Sequence, residues 1–173
     1  MRQQVFRGRI VDLGIERAVL PNGVEVELEI VRHVGASAVA AVDDDGCVVL
    51  IRQYRHAAGE YLWEIPAGLL NPGESPEACA QRELAEEVGL TARTLRPLGT
   101  MLPTPGYSDE RIHLFLGLDV EAARMAHERD EVIERIERIP LDEALRMVHQ
   151  GGVPDAKTAL GLHLAAAALT EES

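Results

Sequence analysis

Cysteine and aromatic side chains are scarce in this 173-residue chain, which has two Cys, two Phe, three Tyr and one Trp. Cys47 and Cys79 sit in apolar segments at neither metal-ligand nor redox-motif spacing. They read as reduced core residues, which excludes a disulfide framework. Positive charge is also in deficit, with 17 Lys and Arg against 29 Asp and Glu and a net charge of −12. No basic stripe with interleaved aromatics offsets it, so a phosphate backbone would be repelled and nucleic acid is not expected as a partner. No run approaches the roughly 18 apolar residues of a membrane span. The opening MRQQVFRGRI lacks the apolar stretch of a signal peptide. A cytoplasmic protein that neither crosses nor binds a membrane is expected. Internal repeats, low-complexity tracts and an obvious linker are missing too.

What is present is 46% apolar residues, enough for one compact domain without structural metal. Val24, Val26, Leu28 and Ile30 alternate with Glu25, Glu27 and Glu29. That period of two predicts a strand with one face on a core. Pro21-Asn22-Gly23 before it is turn chemistry, so it should pair with residues 15–20 as a hairpin. Residues 36–42 and 47–54 are short apolar runs joined by Asp43-Asp44-Asp45-Gly46, a second hairpin signal. Between 64 and 77 the chain collects Pro66, Gly68, Pro72, Gly73 and Pro76, which predicts an ordered loop without a regular element. A helix follows: Ser75 is its N-cap, Pro76 its first turn, Ala80, Leu84 and Val88 its apolar stripe, and Gly89 its stop. Beyond it, 111–118 and 132–139 read as strands, 141–150 and 155–169 as helices. Mixed strands and helices point to an α/β sandwich.

The chemistry lies on the first helix. At about 100° per residue, Glu83, Glu86 and Glu87 fall within an arc of roughly 100° beside the apolar stripe. Three like charges so placed repel by a few tenths of a kcal/mol per pair unless a cation compensates. Hard oxygen donors suit Mg²⁺, with Mn²⁺ as the alternative, and such an ion clamps phosphate oxygens and activates water. Taken by themselves, three acids on a helix are more often a solvated face than a metal site.

They are not by themselves. Gly68, five residues, Glu74, seven residues, Arg82-Glu83-Leu84, one residue, Glu86-Glu87, one residue, Gly89-Leu90 resembles the complete signature of the Nudix hydrolases. At background frequencies of about 5–7% per position such a match arises by chance in far fewer than one chain in a million. The resemblance implies a Nudix-type α/β/α sandwich with a mixed β-sheet, here with an N-terminal antiparallel β-hairpin. It implies hydrolysis of a nucleoside diphosphate linked to another group. It makes the Ala67 carbonyl, Glu83, Glu86 and Glu87 the metal ligands. Gly68 would permit a close approach or an unusual dihedral, and Arg82 would pair with Glu74 and hold the carboxylates in place. Leu84 and Leu90 would be core.

The flanks narrow the resemblance. The run from Gln53 to Gly68, QYRHAAGEYLWEIPAG, is similar to bacterial ADP-ribose pyrophosphatases, as is Thr104-Pro105-Gly106-Tyr107-Ser108-Asp109-Glu110. Pro105 lies fifteen residues past Leu90, where that subfamily has proline. The residues implied for catalysis are Glu131 as base, with Glu128 in reserve, together with Glu86 and Arg82. Arg55, Pro105 and Glu110 are the substrate-binding set, Arg55 holding a phosphate and Glu110 orienting the terminal ribose or capping its loop. The implied substrate is ADP-ribose or a related ADP-sugar. The alternatives are GDP-mannose or another nucleoside diphosphate sugar, dinucleoside polyphosphates, or binding of ADP-ribose as a sensor without cleavage. Relatives of this kind form homodimers through N-terminal strands. Residues 1–32 are therefore expected to be a dimerisation element, with Phe6 or Arg17 near the partner's ligand, and 33–173 the hydrolase domain. Aromatic residues are too few to assign the base-stacking face.

Overall fold

The computed structural model describes residues 2–124 and 132–171. The chain runs β1 (Arg2–Arg7), β2 (Asp12–Val19), β3 (Glu25–Arg32), β4 (Ala36–Ala41), β5 (Cys47–Arg55), β6 (Glu60–Glu64), β7 (Ala67–Leu69), α1 (Pro76–Val88), β8 (Leu90–Met101), β9 (Ile112–Ala122), β10 (Ile133–Pro140), α2 (Leu141–His149) and α3 (Ala156–Thr170). These strands form a three-stranded sheet β1-β2-β3, a three-stranded sheet β10-β5-β6 and a four-stranded sheet β7-β4-β9-β8. The last is mixed, because β4 runs parallel to β9 and antiparallel to β7.

Strand β4 organises the core, since it is buried on both faces. Its pleat sends Ala36, Ala38 and Ala40 into one cluster with Leu162 and Ala165 of α3 and Ala144 of α2. It sends Val39 and Ala41 into another with Ala80, Leu84 and Val88 of α1. Alternation of side chains along a strand thus puts helices on both sides of the sheet, the expected α/β/α arrangement. The small side chains of β4 let both layers approach closely.

Helix α1 has the predicted ends. Ser75 Oγ accepts the Ala78 N–H at 3.2 Å, Pro76 opens the first turn, and Gly89 stops the helix at φ 66°, a left-handed conformation that suits glycine. Asp155 likewise caps α3, and the β2–β3 hairpin pairs Val19 with Glu25 and Ile15 with Glu29 as its turn chemistry required.

Three expectations need correction. The 36–42 and 47–54 runs do not form a hairpin. The Asp43 carboxylate does order the turn by accepting the Asp45 and Cys47 N–H groups at 3.0 and 3.1 Å. Only the Val42–Val48 bridge joins the two strands, which then splay into separate sheets. The 64–77 segment is not wholly irregular, because β7 pairs with β4 (Ser37 with Gly68) and so satisfies its backbone groups. The alternating face of β3 is only partly covered: Val26 and Ile30 are half-buried, whereas Leu28 is 38% exposed and Val24, just before the strand, 51%, on a sheet tied to the rest by the Val31–Ser108 bridge and the Arg32–Asp109 ion pair. Among the described residues no helix is long and apolar enough to cross a membrane.

Candidate active site

Helix α1 and β7 meet where the signature predicted chemistry. An ideal Cβ on Gly68 would lie 2.0 Å from Glu83 Oε1, so the absence of a side chain lets the Glu83 carboxylate lie against the β7 backbone. Of the two reasons anticipated for this glycine, close approach applies. Glu87 is 1% exposed, and its Oε2 accepts the Ala67 N–H at 2.9 Å. Loop and helix are thus joined by two carboxylates buried at their seam.

Arg82 is the hub. Its Nε and Nη2 donate to the Glu74 oxygens at 2.9 and 3.0 Å, and Nη2 also donates to the Leu69 carbonyl at 2.9 Å. This is the anticipated Arg82–Glu74 pair, bidentate and therefore fixed in direction. Nη1 reaches further than anticipated, donating to Glu83 Oε1 and to Glu86 Oε2. One cation therefore bridges two of the three crowded acids. In this arrangement no three His, Cys, Asp or Glu side chains among the described residues are disposed around one metal position, since Arg82 draws Glu83 and Glu86 to itself. The donor set nevertheless fits a hard divalent ion: it offers oxygen only, it is anionic, and Gly68 lets the Glu83 carboxylate lie against the β7 backbone that carries the Ala67 carbonyl.

The Arg82 hydrogen bond, followed by the Asn71 N–H, holds the Glu74 carboxyl down to about 2 from an ordinary 4.5. A depressed folded-state value stabilises the fold fully above the unfolded value, and that stability is lost as pH falls towards the folded one. In metal-free protein the wild type is expected to lose melting temperature steeply between about pH 4.5 and pH 2. Arg82→Gln is expected to flatten that limb, which thermal scans across the range would detect. Cys79, buried beside this network, has its thiol pushed up to about 11, chiefly by burial, so it is an inert core thiol.

A cleft of about 860 Å³ opens over the seam, lined by Arg55, Ala67, Gly68, Arg82, Glu83 and Glu110 among others. Glu110 is half-buried, its Oε1 3.6 Å from His33 Nδ1 and its N–H bonded to Ser108 Oγ at 3.1 Å. Pro105 is not brought in: it sits exposed in the turn between β8 and β9 and does not line the cleft. Glu131 and Glu128 lie outside the described residues. Sequence reasoning missed Glu64, Asp155 and Lys157, which line the same cleft. One signal was available, because Lys157 is the chain's single lysine. Arg9 and Ile10, from the loop after β1, line the cleft as well.

Comparison with known proteins agrees with this geometry. The family described as NUDIX domain matches residues 31–159. The chain is 41% identical over 163 residues to an ADP-ribose pyrophosphatase of Bacillus subtilis, covering 93% of this chain and 88% of the relative. It is 38% identical to a methanol dehydrogenase activator of Bacillus methanolicus, covering 92% and 87% of the two. A crystal structure described as an ADP compounds hydrolase superposes with a TM-score of 0.85 at 26% identity, over 100% of this chain and 94% of the other.

Proposed function

The chain belongs to the Nudix family, and from that premise we propose that it hydrolyses the diphosphate of ADP-ribose or a related ADP-sugar to AMP and a sugar phosphate. The observation that carries the reading is the seam of Gly68 and Glu83, with Arg82 and Arg55, on one cleft of about 860 Å³, a volume in the range of small-molecule sites. Glu83, Glu86, Glu87 and the Ala67 carbonyl would hold Mg²⁺ or Mn²⁺. Bound there, the ion supplies positive charge to the diphosphate oxygens and acidity to the attacking water.

The chain's own groups do the rest. Arg82 keeps the carboxylates in position through Glu74, Glu83 and Glu86. Arg55 binds a phosphate oxygen and Glu110 orients the terminal ribose. Water attacks one phosphorus, the P–O bond to the bridging oxygen breaks, and Glu131 takes the water's proton, with Glu128 as the second candidate.

Residues 1–32 serve as the dimerisation element of a homodimer. Supporting this, Val5, Phe6 and Val19 are 54, 57 and 66% exposed, apolar side chains of the kind that interfaces cover. A cytoplasmic location goes with the free thiols of Cys47 and Cys79.

The test is product analysis with ADP-ribose, a second ADP-sugar, GDP-mannose and a dinucleoside polyphosphate, each with Mg²⁺ and with Mn²⁺. Equimolar AMP and ribose 5-phosphate are expected from ADP-ribose, with kcat/KM at least about tenfold above that for GDP-mannose, a factor worth about 1.4 kcal/mol of transition-state discrimination. Faster cleavage of GDP-mannose would overturn the substrate and leave the reaction class standing.

A further inference from the structure

An ionic ring lies at the cleft outside the signature. Glu64, at the end of β6, is 1% exposed. Arg55 grips it side-on, Nε donating to Oε1 and Nη2 to Oε2, both at 2.7 Å. Lys157 Nζ donates to the same Oε2 and, at 2.9 Å, to Asp155 Oδ2. That Asp155 oxygen also accepts Thr158 Oγ1–H at 2.6 Å. Thr158 Oγ1 in turn accepts the N–H of Ile65 at 2.9 Å, the residue next to Glu64. The ring therefore closes on itself and ties the start of α3 to the end of β6.

A buried carboxylate is costly unless its oxygens are satisfied by charge and hydrogen bonds. Burial pushes the Glu64 carboxyl up, but its bonds to Arg55 and the charges of Lys157 and Arg55 outweigh that and leave it below its ordinary range. Arg55 meanwhile remains 42% exposed in its side chain. Its Nη1 makes no hydrogen bond among the described residues, although Nε and Nη2 are both engaged.

We propose that Lys157, through Glu64, is a positioning residue that locks the Arg55 fork in one orientation, with Nη1 presented to an oxygen of the substrate diphosphate. This rests on the reading of Arg55 as a phosphate-binding residue. Two cations and two carboxylates leave the ring formally neutral, so Arg55 acts on the substrate by a directed hydrogen bond more than by net charge. Removing the lysine charge leaves Glu64 and Asp155, both bonded to Nζ in the intact protein, to repel each other. It also leaves one uncompensated negative charge beside the place of the diphosphate. A long flexible arginine gains affinity when its orientation is fixed beforehand.

The experiment is steady-state kinetics on ADP-ribose with Mg²⁺ for wild type, Lys157→Met, Lys157→Arg, Arg55→Ala and the Arg55→Ala/Lys157→Met double variant, with melting curves for each. Lys157→Met is expected to raise KM about tenfold and change kcat less than about threefold, the pattern of lost ground-state binding. Lys157→Arg should return KM to within about threefold of wild type, and Lys157→Met should add little on top of Arg55→Ala, as coupled residues do. Glu64→Gln provides the same KM readout where Lys157→Met melts below the assay temperature. Wild-type KM in Lys157→Met or Glu64→Gln, beside a raised KM in Arg55→Ala, overturns the positioning role while the Arg55 reading stands. So does a full additional KM increase in the double variant. Wild-type KM in Arg55→Ala overturns both.

Discussion

Glu83→Gln is expected to lower kcat for ADP-ribose by about a thousandfold while the protein stays folded, the scale on which removing one preorganised charge from an active site acts. Glutamine has the shape of glutamate, so the contact with the Gly68 backbone is kept. What disappears is a negative charge among Glu83, Glu86 and Glu87, and with it a hard ligand for the divalent ion. Stability should move little, because relief of repulsion among the acids and weakening of the Arg82–Glu83 pair, whose hydrogen bond the amide oxygen can still accept, oppose each other, each worth on the order of half a kcal/mol. Glu87→Gln should behave alike, its amide oxygen still able to accept the Ala67 N–H. Initial rates alongside far-UV circular dichroism melts check both variants. A rate within threefold of wild type in Glu83→Gln would remove the metal role assigned to this helix.

Gly68→Ala should also lower activity far more than stability. The new methyl would meet Glu83 Oε1 at 2.0 Å, Cδ at 2.2 Å and Oε2 at 2.5 Å, overlaps that no structure keeps. All three atoms belong to the end of a flexible side chain, so the cheap relief is to swing the Glu83 carboxylate away from β7. The fold is expected to lose about 1 kcal/mol, the low end of the cost of overpacking. Displacing a catalytic carboxylate by an ångström or so is expected to cost about a hundredfold in kcat. Paired melting and rate measurements decide it. A large loss of stability with a proportionate loss of activity would mean that Gly68 serves the backbone of β7 instead of the carboxylate.

The elements legible in the sequence were those whose determinants are local. Ser75, Pro76 and Gly89 sit beside the helix they delimit, and Pro21-Asn22-Gly23 beside the hairpin it turns. The signature likewise spaces its acids along one helix, so their shared face followed from helical geometry. Long-range pairing was not legible. Strand β8 was missed because Pro97 and Gly99 interrupt its pattern, and the register shifts between them, where an irregularity accommodates residues poor in strands. Strand β7 exists because β4 offers it an edge, which no property of Pro66 or Gly68 announces. The turn after β4 was read correctly from Asp43 and Gly46, yet the partners of β4 and β5 are set by the helices covering each face.

The same division holds within the site. Arg82 and Glu74 fall within one motif, and their pairing was anticipated. Lys157 is 93 residues from Glu64 along the chain, so their contact depends on α3 packing beneath β4, and sequence pattern alone could not supply it. Arg55 was picked out as a phosphate ligand, but its Glu64 partner, which governs the direction of its fork, was not. Pro105, chosen by position in a motif, lies away from the cleft on an exposed turn.

The most direct test of the account is to incubate ADP-ribose with chelator-treated protein and quantify AMP and ribose 5-phosphate before and after Mg²⁺ is restored. Neither product is expected in the chelated protein, and both are expected in equal amounts on addition of Mg²⁺. Bound ADP-ribose that stays intact with both Mg²⁺ and Mn²⁺ present would contradict it and make the chain a binding protein. Full turnover in the chelator would contradict it equally, by taking the metal out of the reaction.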